Sequence, residues 1–177
     1  ADTKSCLRLK MNASRLNYKS TNHGLISVSW DNENLHLNVE VSDPSHLNPH
    51  IGSRIWEGDS LQLAIAPDND DGFFNIVAAL TQKGVEAYQY DKKPSLLELS
   101  KISISRDEAR LITLYEVIIP LSLLGVNPFH DSKLRLNAVV HNNDLESCKW
   151  IAICPGLAGG NPDIRLFPEF VLSKCLK

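Results

Sequence analysis

The chain has 177 residues, of which 43% are hydrophobic, which suits one domain spanning residues 1–177 around one sizeable core. The formal charge is −3, from 18 Lys and Arg against 21 Asp and Glu, and no basic stripe stands out, which argues against a nucleic-acid partner. No apolar run approaches the ~18 residues of a membrane span, and Ala1 to Lys10 has no apolar signal core; if an export signal exists, it was removed or lies upstream.

The first regular pattern in chain order is period-two alternation. Ile26, Val28 and Trp30 alternate with Ser27 and Ser29, and Leu35, Leu37, Val39 and Val41 alternate with His36, Asn38 and Glu40. The polar turn from Asp31 to Asn34 joins them, which predicts a hairpin with one wet face. Trp30 continues the apolar side and is expected in the core. Leu61, Leu63 and Ile65 repeat the pattern, with Ser60, Gln62 and Ala64 opposite. Phe73 to Leu80 is apolar apart from Asn75, which predicts a buried strand, and Lys83-Gly84 turns into a strand from Val85 to Tyr90. Ile102 and Ile104 alternate with serines, Arg106 to Arg110 reads as a charged turn, and Leu111 to Ile119 is a strand stopped by Pro120. Leu121 to Gly125 suits one short helical turn. Leu134, Leu136, Ala138 and Val140 form one face of a late strand, and Phe170 to Leu172 is a last short one. About ten strands with polar turns and no long helix predict an all-β antiparallel sandwich, jelly-roll-like in character. Residues 155–162, rich in Gly and Pro, predict a long, mobile loop of the kind that often carries function.

Cysteine chemistry is open at this level. Cys6, Cys148, Cys154 and Cys175 allow three pairings. Cys6 and Cys175 flank the two ends of the chain, where a bridge would be worth roughly 4–5 kcal/mol in the chain-entropy model. Cys148 and Cys154 would close a short loop around Trp150. The alternative is four buried thiols. At least one disulfide is expected, and with it an extracellular or cell-surface location. Asn12-Ala13-Ser14 fits a glycosylation sequon.

Catalytic motifs are absent: there is no G-x-S-x-G, no H-E-x-x-H and no Gly-rich phosphate loop. Glu57 and Asp59, two apart on a strand, would share a face at a carboxylate spacing that glycoside hydrolysis uses. They read more simply as an acidic loop before a strand, so the chain is not expected to be an enzyme. The aromatic residues suggest binding instead. Trp56 and Trp150 each stand beside a loop, where an exposed indole offers a flat apolar face to the C–H side of a sugar ring. Gln62, Asn75 and His141 are polar members of strand faces that can bond hydroxyl groups. The competing reading places both Trp in the core. Asp68, Asp70 and Asp71 group oxygen ligands in one turn that suits calcium, although the closing Glu of an EF-hand loop is missing. No cofactor is required by any of this, and calcium is the one ion the pattern suggests.

The segment SVSWDNENLHLNVEVSDPSHL, followed after a short loop by IWEGDSLQLAIAP, resembles the family 9 carbohydrate-binding modules and their DOMON-like relatives. YEVIIPLSLL from Tyr115, LNAVVHNND from Leu136, and Trp150 with Asn161-Pro162-Asp163 resemble further motifs of that group, in the same order. The resemblance spans about residues 25–176. It implies a β-sandwich, non-catalytic sugar binding, calcium in some members, and covalent linkage to catalytic or structural domains of a larger secreted glycan-active protein, as an accessory domain. It places the first clamp tryptophan of the family at Trp56, the acidic residue after it at Gln62, a site arginine near Asn75 and a site glutamine at Val139. The second clamp tryptophan falls near Ala158 and Gly159, where no aromatic stands. A degenerate sugar site in a structural or interaction domain is therefore the alternative. A haem-binding relative would need axial Met or His ligands, and the only Met is Met11.

Overall fold

The computed structural model describes residues 6–11, 23–68, 72–91, 93–127, 131–143, 149–158 and 162–172. Among them are eleven strands: β1 (Cys6–Met11), β2 (His23–Trp30), β3 (Asn34–Ser42), β4 (Ser60–Pro67), β5 (Phe74–Thr81), β6 (Gly84–Gln89), β7 (Lys101–Asp107), β8 (Ile112–Pro120), β9 (Ser132–Asn142), β10 (Lys149–Ala152) and β11 (Glu169–Leu172). They form two antiparallel sheets. The first has the order β1-β2-β3-β8-β7, and the second β10-β9-β4-β5-β6. β11 also pairs with β9, over Ser132 to Arg135, while β10 pairs over Val139 to Asn142. Since β4 occupies the opposite edge of β9, β10 and β11 share one edge end to end.

The alternation read from the sequence becomes the core between the sheets. Ile26, Val28, Leu35, Leu37 and Val39 face Leu61, Leu63, Ile65, Ile76 and Leu136, all buried in one cluster. Each such side chain contributes about 1.5–3 kcal/mol by leaving water. Trp30 is 9% exposed and joins this cluster as expected. Pro120 ends β8, and Leu121–Leu124 forms the expected single turn of 3-10 helix, closed by Gly125 at φ 63°. Glycine suits that left-handed position because it has no Cβ to clash.

Three features differ from the sequence expectation. β1 and β10 carry short or mixed patterns and are visible only through their partners. A 3-10 helix spans Gly52–Glu57 where a plain loop was expected. Residues 155–158 pack down onto the sheet, while residues 159–161 of the same loop lie outside the described residues: Leu157 is 3% exposed, the Asn137 amide donates to the Cys154 and Pro155 carbonyls, and the Asp163 N–H donates to the Gly156 carbonyl. The cause is apolar residues on the outer face of the second sheet, Ala64, Val139 and Ala152, which require a cover.

Candidate functional site: an aromatic groove on the outer face of the second sheet

Register fixes which side chains share that outer face. Trp150 lies opposite His141, and His141 opposite Ser60. The next row runs Ala152, Val139, Gln62, Val77 and Tyr88. In the row after it, Asn137, Ala64 and Asn75 lie in line, and the Tyr90 N–H donates to the Asn75 carbonyl. Two covers close over parts of this face. Leu157 and Phe167 pack on Ala64, Val139 and Ala152. Ile55, from the Gly52–Glu57 helix, packs on Val77 and Ala79. Between the covers remains a groove of about 430 Å³, lined by Trp56, Gln62, Asn75, Val77, Tyr90, His141, Trp150, Leu157, Ala158 and Pro162.

The structure thus brings all five sequence-nominated binding residues, Trp56, Gln62, Asn75, His141 and Trp150, to one concavity. Trp56 is 42% exposed at the rim, and Trp150 is half-buried. His141 stands between them, its ring centroid 6.3 Å from Trp56 and 6.4 Å from Trp150, both edge-to-face. Such geometry matches the positive edge of one ring to the negative face of another.

A chain of hydrogen bonds crosses the floor. His141 Nε2 lies 2.9 Å from the Gln62 side-chain Oε1, and the Gln62 side-chain NH₂ donates to the Asn75 side-chain Oδ1 at 2.9 Å. Burial holds the imidazole at a pKa of about 4, so near neutral pH it is uncharged and Nε2–H donates to Gln62. His141 Nδ1 is buried with no hydrogen-bond partner among the described residues. At the far end the Asn75 side-chain NH₂ donates to no group among the described residues, while the Asn75 backbone N–H is taken by the Asp91 carboxylate. No lining residue carries a charge near neutral pH, and the walls are aromatic and aliphatic. Such a surface can stack a flat apolar ligand face and bond hydroxyls at its edge.

The position of Trp56 is set from below. The Asp59 carboxylate accepts from the Leu47 and Asn143 N–H groups, and the Asn48 amide donates to the Ile55 and Asp59 carbonyls. A Cβ on Gly58 would come within 2.5 Å of the Asn48 side chain, so this approach needs glycine. Glu57 is held bidentately by Arg54. The suggestion that Glu57 and Asp59 share a strand face fails here, because Glu57 lies in the helix and β4 starts only at Ser60. Asp59 is buried as a structural acceptor, and burial raises its pKa.

Other sequence assignments land elsewhere. Val139 is fully buried under the Leu157 cover, whereas Ala158 does line the groove. Met11 is fully buried in the core between the sheets and unavailable to a haem. Asp68 is exposed at the end of β4, and Asp70 and Asp71 lie outside the described residues. A different trio, Asp43, His46 and Asp59, brings its ligand atoms within 4.8 Å of one another and offers the donor set of a cation site. Cys154 is buried in the second apolar cluster. Cys148, Cys175, the side chain of Cys6 and the Asn12 sequon lie outside the described residues. No helix among the described residues is long and apolar enough to cross a membrane.

Tyr90 was not singled out from sequence, although it ends a strand whose outer-facing positions, Glu86 and Tyr88, alternate toward it. Its ring lines the groove 4.8 Å from that of Tyr88, and its hydroxyl donates to the Ser53 carbonyl, tying β6 to the helix that carries Trp56. Burial raises the Tyr90 pKa to about 12, so the hydroxyl stays a donor.

No protein-family model and no curated protein sequence matches the chain. Solved structures do. A family 9 carbohydrate-binding module from Caldicellulosiruptor kristjanssonii in complex with cellotriose superposes with a TM-score of 0.66 at 15% identity, covering 88% of this chain and 77% of that one. The same organism's family 9 module in complex with glucose gives 0.67 at 15% identity over 93% and 84%. A Bacteroides uniformis structure, provisionally assigned as a carbohydrate-binding protein, gives 0.71 at 13% identity over 94% and 85%. At these identities the likeness is one of fold: the chain folds as a β-sandwich of the kind seen in family 9 carbohydrate-binding modules.

Proposed function

We propose that the groove binds carbohydrate without catalysis, and that the chain serves as an accessory glycan-binding module of a larger secreted protein. The carrying observation is the exposed Trp56 beside a floor of His141, Gln62 and Asn75 whose hydrogen bonds end in an amide that donates to nothing else among the described residues. A sugar ring stacks its C–H face on Trp56, and Asn75 donates to a ring hydroxyl. The solved structures of like fold are carbohydrate-binding modules, which supports the reading. One observation favours the rival, an interaction domain with a degenerate site: small Ala158 stands where the family resemblance puts a second aromatic plate. Calorimetric titration with soluble plant and microbial oligosaccharides separates the two. Trp56→Ala is expected to lower affinity at least tenfold, the loss of about 1.4 kcal/mol or more, with an unchanged melting temperature. Equal affinity in the variant, or no sugar bound by the parent chain, sinks the proposal.

A further inference from the structure

The groove does not end at Tyr90. A second concavity, of about 760 Å³, continues from it and shares Asn75, Tyr90 and Pro162 as common wall. Each lies in the range of about 300–1,000 Å³ that encloses a small organic ligand, so the pair exceeds what one sugar residue fills. Their chemistry differs. The first is aromatic and uncharged. The second has an apolar base, Phe73 and Ile164, under a charged rim of Asp91, Lys93, Asp163 and Arg165.

The rim is balanced in sign. Asp163 takes Arg165 bidentately, at 2.8 Å to each oxygen, and this pair stands at the mouth with the Arg165 side chain 84% exposed. The Asp163 side chain also accepts from the Arg165 backbone N–H and so caps the short turn Ile164–Leu166. Asp91 accepts from the N–H groups of Asn75 and Lys93 and from the Gln89 amide, which holds its carboxylate still. A planar guanidinium beside a carboxylate offers donors and acceptors side by side, the pattern that two neighbouring hydroxyls complement.

We infer that the groove is a trough of at least two subsites that takes a neutral oligosaccharide, with one residue on Trp56 and a following residue crossing Asn75 and Tyr90 to lie against Pro162 and the Asp163–Arg165 pair. The inference rests on the carbohydrate reading above and adds its chain length, direction of travel and charge class. Neutrality follows from the balanced rim: a uronate residue would meet two fixed carboxylates as well as the two cations.

Titration calorimetry with two neutral series, glucose to cellotriose and xylose to xylotriose, and with trigalacturonate as charged probe, tests it. In the series that binds, affinity is expected to rise at least tenfold from monosaccharide to trisaccharide. Arg165→Ala, and separately Asp163→Asn, which keeps an oxygen to cap the turn, are expected to lower trisaccharide affinity about fivefold and leave the monosaccharide unchanged. Trp56→Ala removes both. A flat dependence on chain length, or distal variants that weaken mono- and trisaccharide alike, overturns the second subsite alone. Tighter binding of trigalacturonate than of either neutral trisaccharide overturns the charge class. No binding by any probe overturns the carbohydrate reading and this inference with it.

Discussion

His141 is the residue on which the groove turns. It spaces two tryptophans, donates to Gln62 and sits 5% exposed. Burial alone moves its pKa from the ordinary 6.5 to about 4. The unfolded chain therefore takes up a proton between those two values while the folded chain resists it. The stability this group contributes is fully present above pH 6.5 and is lost as pH falls toward 4. The loss is on the order of 3 kcal/mol for a shift of this size. Urea unfolding from pH 7 to pH 4 should show stability falling with that sign, and the His141→Asn variant should fall less steeply. Identical slopes would assign the acid lability to other groups.

At the scale of elements, sheet position decides exposure. Both sheets alternate, and among the described residues two covers close over the outer face of the second, which carries Ala64, Val77, Ala79, Val139 and Ala152 among the polar groups. The covers are the Gly52–Glu57 helix and the segment around Leu157, and the groove is the gap they leave. Leu157 is at once cover and groove wall, which ties stability to binding. Leu157→Ala should cost about 2–4 kcal/mol from the lost contact and the cavity left behind. It should also weaken binding of a neutral trisaccharide by more than threefold, since the wall shifts. A variant destabilised to that extent with wild-type affinity would show that the cover does not shape the groove.

For the whole molecule the formal charge is −3, and the first part of the groove holds no charge near neutral pH. Binding driven by stacking and hydroxyl hydrogen bonds is insensitive to ionic screening, unlike binding steered by unpaired charges. Affinity for a neutral oligosaccharide should change less than about twofold between roughly 50 mM and 500 mM salt, where the Debye length shrinks from about 14 Å to about 4 Å. A tenfold loss over that range, measured by the same calorimetry, would show that contacts to the charged groups of the second concavity, rather than stacking and hydroxyl hydrogen bonds, carry the binding.

The amino-acid sequence by itself determined the sandwich, because period-two alternation commits one side of each strand to the core whatever the strand pairs with. Trp30, Leu63 and Leu136 are buried for that reason. It also nominated Trp56, Gln62, Asn75, His141 and Trp150, from side-chain chemistry and family resemblance. What only the tertiary structure decided is that these five meet. Trp150 reaches His141 by pairing across β10 and β9, and His141 reaches Gln62 across β9 and β4, at a separation of 79 residues in the chain. The same long-range pairing buried Asp59 as an acceptor and Met11 in the core, placed Tyr90 in the groove wall and folded residues 155–158 down as a cover. Alternation is local and can be read along the chain, whereas register and the covering of an outer face depend on non-local partners.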